Sequence, residues 1–218
     1  MSMSCFPEER IIQAPCGDLE IAVTCPSTSP PDGTSPWAVI CHPHPLHGGA
    51  MTNKVVYMIS RSFNALGVAT VRFNFRGVGK SAGEFDNGEG ECGDLRAVVD
   101  WVNQMYQPSE LWLGGFSFGS YVALRSHRDL HASRLLLVAP AVERFDFNAL
   151  SVSEIPTLIV QGGQDDVVSP DAVIEWAEAQ ENRPKFEWFQ EADHFFHGKL
   201  NELRETIITH WQAPQSKA

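Results

Sequence analysis

Ser117 stands at the centre of Gly114-Gly115-Phe116-Ser117-Phe118-Gly119-Ser120, a stretch containing G-x-S-x-G. The apolar run Leu111-Trp112-Leu113 precedes it and an amphipathic run, Tyr121 to Leu124, follows. The pattern predicts a strand, a sharp turn and a helix, with the serine at the apex. Such a turn strains the serine backbone and lifts its hydroxyl clear of the sheet edge. Gly115 and Gly119 fit a bend where a larger side chain would collide. A serine there also meets the free N–H groups of a helix N-terminus, which favour developing negative charge. The plain alternative is an N-cap serine. Nucleophilic chemistry needs a base and an acid as well.

Those partners must come from elements that hold them at one edge. Short apolar runs predict strands at 10–14, 19–24, 38–41, 69–75, 111–114, 134–138, 157–161 and 186–189. Helical spacing joins Val55, Ile59, Phe63 and Leu66, and then Leu95, Val98, Val102 and Met105. Ser169-Pro170 opens a helix carrying Val173 and Trp176, and Leu200, Leu203, Ile207 and Trp211 mark the last one. Cys16-Gly17-Asp18 is too short for a crossover, so the first two strands form a hairpin. From Ala38 onward the alternation predicts a parallel sheet covered on both faces. The reading is α/β, with residues 1–218 as one domain, a surface loop from Pro26 to Pro36 and a frayed tail after Gln212.

Ligands of parallel sheets bind beyond the carboxyl ends of the strands. Ser117 follows the fifth strand, Asp165-Asp166 the seventh, and His194 the eighth. Serine, aspartate and histidine in that order match a nucleophile, acid and base. Asp165 and Asp166 are adjacent, and only one can face His194. Asp193 and His197 are rivals for acid and base.

The chain resembles the α/β-hydrolases over nearly its whole length, and within them a small bacterial branch without a lid. The resemblance is carried by His42-Pro43-His44-Pro45-Leu46-His47-Gly48-Gly49 with Asn53-Lys54-Val55-Val56, and by Arg72-Phe73-Asn74-Phe75-Arg76-Gly77-Val78-Gly79-Lys80-Ser81-Ala82-Gly83. Phe85-Asp86-Asn87-Gly88-Glu89-Gly90-Glu91 belongs to the same pattern. It implies an eight-stranded sheet with only the second strand antiparallel. It also implies Ser117 as nucleophile, Asp165 as acid and His194 as base, with Asp166 left to local backbone bonds. Substrate is not implied, since this fold hosts many reactions.

A tetrahedral oxyanion needs two backbone donors. One is the N–H of Phe118, next to the nucleophile; the other comes from the loop after the third strand. Pro43 and Pro45 lack an N–H, and His42 is still at the strand end, so His44 is the expected donor and Leu46 the fallback. The same loop supports a rival: His42, His44 and His47 form H-x-H-x-x-H, as in metal-dependent hydrolases. Leu46 stands where the usual carboxylate would be, so the expectation is no metal and no cofactor. A catalytically silent binding protein of this fold is the third reading, but no triad residue is missing.

The bulk composition fits. A net charge of −11 argues against nucleic acid or an anionic membrane as partner, and the triad that the resemblance implies points to a small-molecule ester or related acyl substrate. Five cysteines without metal spacing read as reduced thiols in a cytoplasmic protein. No apolar run is long enough to span a bilayer, and the start of the chain has no secretory pattern. Pro140 to Glu154 has room for a loop and one short helix rather than a lid, with Phe145, Phe147 and Leu150 on the acyl side. Phe116 and Phe118 add apolar surface around the serine. Asp94 is expected at a helix start and Arg76 in the loop after the fourth strand, both structural. An open site suits short esters, and His194 must be neutral to take the serine proton.

Overall fold

The computed structural model describes residues 8–26 and 35–212. Most of the loop read between Pro26 and Pro36, and the tail after Gln212, lie outside them. Among the described residues eight strands form one sheet: β1 (Glu8–Ala14), β2 (Gly17–Thr24), β3 (Trp37–Cys41), β4 (Ala69–Phe73), β5 (Leu111–Phe116), β6 (Arg134–Val138), β7 (Thr157–Gly162) and β8 (Lys185–Phe189). Their order is β1-β2-β4-β3-β5-β6-β7-β8. β2 pairs antiparallel with both β1 and β4, and the remaining pairs are parallel. Ala14 faces Gly17 across the hairpin, so the first connection is the tight turn expected.

Among the described residues five α-helices cover the sheet: α1 (Lys54–Ala65), α2 (Glu89–Tyr106), α3 (Phe118–Ser126), α4 (Pro170–Glu178) and α5 (Leu200–Gln212). Alternation along the strands sorts them. Val39 and Cys41 of β3 point to a core shared with α2, α3 and α4, while Ala38 and Ile40 point to the one built with α1 and α5. Every residue of β3, β4, β5 and β7 is buried, as strands covered on both faces must be. Ser169 caps α4 as expected, its hydroxyl accepting from the Ala172 N–H at 3.3 Å.

Three details differ from the sequence reading. β4 ends at Phe73 rather than Phe75, because the Phe75 N–H leaves the ladder to donate to the His42 ring at 3.0 Å. α2 begins at Glu89, so Asp94 sits a turn inside the helix and not at its start. There it is fully buried, and Arg76 grips it through Nη2 to Oδ1 at 2.8 Å and through Nε. Both residues are structural, as expected: they clamp the loop after β4 to α2. Finally, residues 139–156 form turns with no helix.

Candidate active site

The turn between β5 and α3 carries the expected strain. Ser117 has φ 55° and ψ −117°, a region that a residue with a Cβ seldom enters. Close approach explains the flanking glycines. A Cβ at Gly115 would lie 2.2 Å from the Gly119 carbonyl oxygen, and one at Gly119 would lie 2.3 Å from that of Cys41. The neighbouring strand holds the turn in place. The Ser117 N–H donates to the Val138 carbonyl at 2.9 Å, and the Ser120 hydroxyl lies 2.9 Å from the Gly115 carbonyl.

Ser117, His194 and Asp165 form one hydrogen-bonded chain. The Ser117 Oγ lies 3.1 Å from His194 Nε2, and His194 Nδ1 lies 2.8 Å from Asp165 Oδ2. All three residues are buried. Burial pushes the Asp165 carboxyl up, but the His194 hydrogen bond and charge, with the N–H groups of Val168 and Val167, outweigh it and hold the group below its ordinary value. An ionised Asp165 can only accept, so the His194 proton belongs on Nδ1 and Nε2 is left to accept from the serine hydroxyl. The Phe116 ring packs on the imidazole with centroids 5.0 Å apart.

Asp165 has four donors around it. Oδ1 accepts from the Val167 and Val168 N–H groups at 2.9 and 2.8 Å, and Oδ2 accepts from Gln161 Nε2 at 3.0 Å besides His194. The local backbone bonds assigned to Asp166 therefore belong to Asp165, and Asp166 is exposed. Gln161, the penultimate residue of β7, was not singled out from the sequence; nothing in an apolar strand pattern signals it. Asp193 and His197 pair with each other instead, at 2.7 Å, and His197 is exposed.

The loop after β3 lies across from Ser117. Among the described residues, no acceptor takes the N–H of Phe118 or of His44. The Leu46 N–H donates to His44 Nδ1 at 3.2 Å, so the fallback donor is already used. His42 cannot serve as a metal ligand here, because both ring nitrogens are spent. Its Nδ1 donates to the Pro43 carbonyl at 2.6 Å, while Nε2 accepts from Phe75. Burial lowers its pKa to about 4, so the ring is neutral. The rival trio of His42, His44 and His47 is thereby reduced to two, and no group of three metal-ligating side chains occurs among the described residues.

A cavity of about 590 Å³ opens over the serine, lined by Ser117, His194, His44, Phe118, Phe145 and Arg144 among others. Phe145 is where the sequence reading put it. Phe147 is not: it is buried in the core against Trp176, and Leu150 lines a different cavity. Phe116 is core, and Phe118 is both core and wall.

This sheet order, strained serine turn and absence of any helix across residues 139–156 define a lid-less α/β-hydrolase architecture. The family described as alpha/beta hydrolase domain matches residues 39–213, and the chain belongs to it. XC6422 from Xanthomonas campestris, an a/b serine hydrolase without lid, is 38% identical and superposes with a TM-score of 0.90 over 99% of both chains. An alpha-beta serine hydrolase homologue from Coxiella burnetii is 43% identical, with a TM-score of 0.89 over 95% of this chain and 99% of that one. The uncharacterized protein RP471 of Rickettsia prowazekii (strain Madrid E) is 38% identical over 192 residues, 83% of this chain and 79% of that protein. No helix among the described residues is long and apolar enough to cross a membrane.

Proposed function

We propose that this chain is a single-domain cytoplasmic serine carboxylesterase acting on small or short-chain esters. The observation that carries the reading is the hydrogen-bonded chain Ser117–His194–Asp165, with Ser117 and His194 lining an open cavity and Asp165 behind them. Ser117 Oγ attacks the acyl carbon while His194 Nε2 takes its proton. Asp165 stabilises the imidazolium that results and keeps the useful tautomer. The N–H groups of Phe118 and His44 receive the oxyanion. Collapse expels the alcohol with the proton from His194. Water then attacks the acyl-enzyme, His194 acting as base again, and the acid leaves. The chemistry calls for no cofactor. Free thiols at Cys16, Cys41 and Cys92 suit a reducing compartment.

Active-site labelling tests the reading. A fluorophosphonate should add to Ser117, and Ser117→Ala should abolish both labelling and ester hydrolysis. Full labelling of the alanine variant would move the nucleophile elsewhere.

A further inference from the structure

The cavity over Ser117 has an unusual charge for this protein. The chain carries 27 acidic residues against 16 lysines and arginines. Yet among the described residues that line this cavity none is an Asp or Glu, and Arg144 carries the one permanent charge. The contrast lies close by. The cavity of about 670 Å³ between the 139–156 segment and α4 is lined by Glu143, Glu175 and Glu181 against a single Arg128. Acid is thus plentiful around the neighbouring hollow, whereas around the serine the nearest carboxylate, Asp165, lies behind His194 and outside the cavity wall.

Arg144 is held in place without being neutralised. Its Nη2 donates to the Val167 carbonyl at 3.1 Å, bridging the loop after β6 to the loop that carries Asp165. The carboxylates beside it in sequence are turned elsewhere. Glu143 Oε2 accepts from the Ser169 N–H, and Asp146 Oδ1 from the Ala149 N–H. No carboxylate lies within ion-pair distance of Arg144 among the described residues. One neutral acceptor leaves a guanidinium with donors to spare and its full charge.

Helix ends add to the same field. α1 and α3 start at the cavity, with Asn53 and Ser117 as their caps, and neither has an acidic residue in its first turn. α2, α4 and α5 each do: Glu89 and Glu91, Asp171, and Glu202. α2, whose N-cap follows the cavity-lining Asn87, is compensated by Glu89 and Glu91, so the uncompensated positive ends at the cavity are those of α1 and α3. The overall negative charge opposes an anion only at long range, where salt screens it beyond about 8 Å.

We propose that Arg144 selects esters bearing a carboxylate, such as the monoesters of short dicarboxylic acids. This rests on the esterase reading above. The carboxylate replaces water on the guanidinium while the ester carbonyl sits at Ser117. Arg144 is a specificity residue, and hydrolysis itself does not pass through it.

Matched esters test this on the full chain. One pair is monoethyl glutarate and its neutral amide, ethyl glutaramate, with the charge on the acyl side. The other is 3-acetoxypropanoate and its amide, with the charge on the alcohol side. The wild-type protein should favour the anion in at least one pair, by about fivefold in kcat/KM, the size of a partly exposed charge pair. Arg144→Gln should bring that ratio close to one, and Arg144→Lys should keep part of it. Each ratio is taken within one variant, so a loss of folded protein cancels. Equal hydrolysis of both members in both pairs, or a ratio that Arg144→Gln leaves unchanged, overturns the role of Arg144 while the esterase reading stands. Failure to hydrolyse any of the four esters faster than Ser117→Ala overturns the esterase reading, and this proposal with it.

Discussion

Replacing Asp165 by asparagine changes one atom and should cost about four orders of magnitude in kcat. The structure explains why. Four donors converge on the carboxylate: the Val167 and Val168 N–H groups on Oδ1, and Gln161 Nε2 and His194 Nδ1 on Oδ2. An amide has a single oxygen. If that oxygen keeps the two backbone bonds, the NH₂ group faces His194, whose ring must then present a bare Nδ1. The imidazole proton moves to Nε2, which now donates toward Ser117 and cannot take its proton. If the amide turns over, His194 keeps its bond but the NH₂ group confronts two backbone N–H groups. Each buried donor left unpaired costs about 1–3 kcal/mol, so the first arrangement is favoured. A wrong tautomer of this kind lowers kcat about 10⁴-fold in serine proteases of the same triad logic. Asp166→Asn should stay within about twofold, since Asp166 is exposed. Hydrolysis of p-nitrophenyl acetate by both variants, with circular dichroism to check folding, is the assay. Asp165→Asn retaining a tenth of wild-type activity while folded would refute the reasoning, and the reverse ranking would move the acid by one residue.

Acid should destabilise the fold through His42. Burial lowers its pKa to about 4 from an ordinary 6.5. The stability it contributes is therefore present above about pH 6.5 and lost as pH falls toward 4, up to about 3 kcal/mol. Urea midpoints measured over that range should fall, and His42→Gln should flatten the slope; an unchanged slope would mean another group is responsible. Esters of about two to four acyl carbons should be hydrolysed better than long ones, because an open cleft buries few methylenes at roughly 0.8 kcal/mol each. A preference for chains beyond about ten carbons, in a panel of p-nitrophenyl esters, would point to a deep acyl channel instead. Hydrolysis should survive exhaustive chelation; loss that zinc restores would bring the histidine loop back as a metal site.

The sheet was legible because its signals are local. Apolar runs such as Trp37–Cys41 and Arg134–Val138 are too short for helices and end in turn residues, so their number and succession along the chain could be read directly. The parallel direction of the later strands then put Ser117, the aspartate pair and His194 at one edge before any distance was known. Choosing between Asp165 and Asp166 lay beyond the pattern. Adjacent aspartates look alike in sequence, and what separates them is which one the loop after β7 turns inward. Gln161 and Arg144 carry no sequence signal either: Gln161 lies within β7 and matters only because the loop after it turns Asp165 inward, and Arg144 sits on a loop without periodicity. The aromatic residues of 140–154 were read as one group, but Phe147 turns into the core and Phe145 faces the cavity.

His42 shows how the two longest motifs of the chain serve one purpose. From the sequence, its spacing to His44 and His47 suggested a metal. In the fold its ring joins the end of β3 to the end of β4, and two more bonds close the same joint. The Met51 N–H donates to Asn74 Oδ1 at 2.8 Å, and Arg72 Nη1 donates to the Met51 carbonyl at 3.0 Å. The string from His42 to Met51 and the string Arg72-Phe73-Asn74-Phe75 are therefore two halves of one hydrogen-bonded seam. What the seam holds is a peptide plane. His42 Nδ1–H fixes the carbonyl of Pro43, and the N–H across that planar trans unit belongs to His44. Pinning the oxygen on one side aims the hydrogen on the other. A neutral, buried imidazole does this well, because it offers one donor and one acceptor at fixed directions. The feature that looked most like a rival chemistry instead orients the backbone donor that the proposed serine chemistry requires.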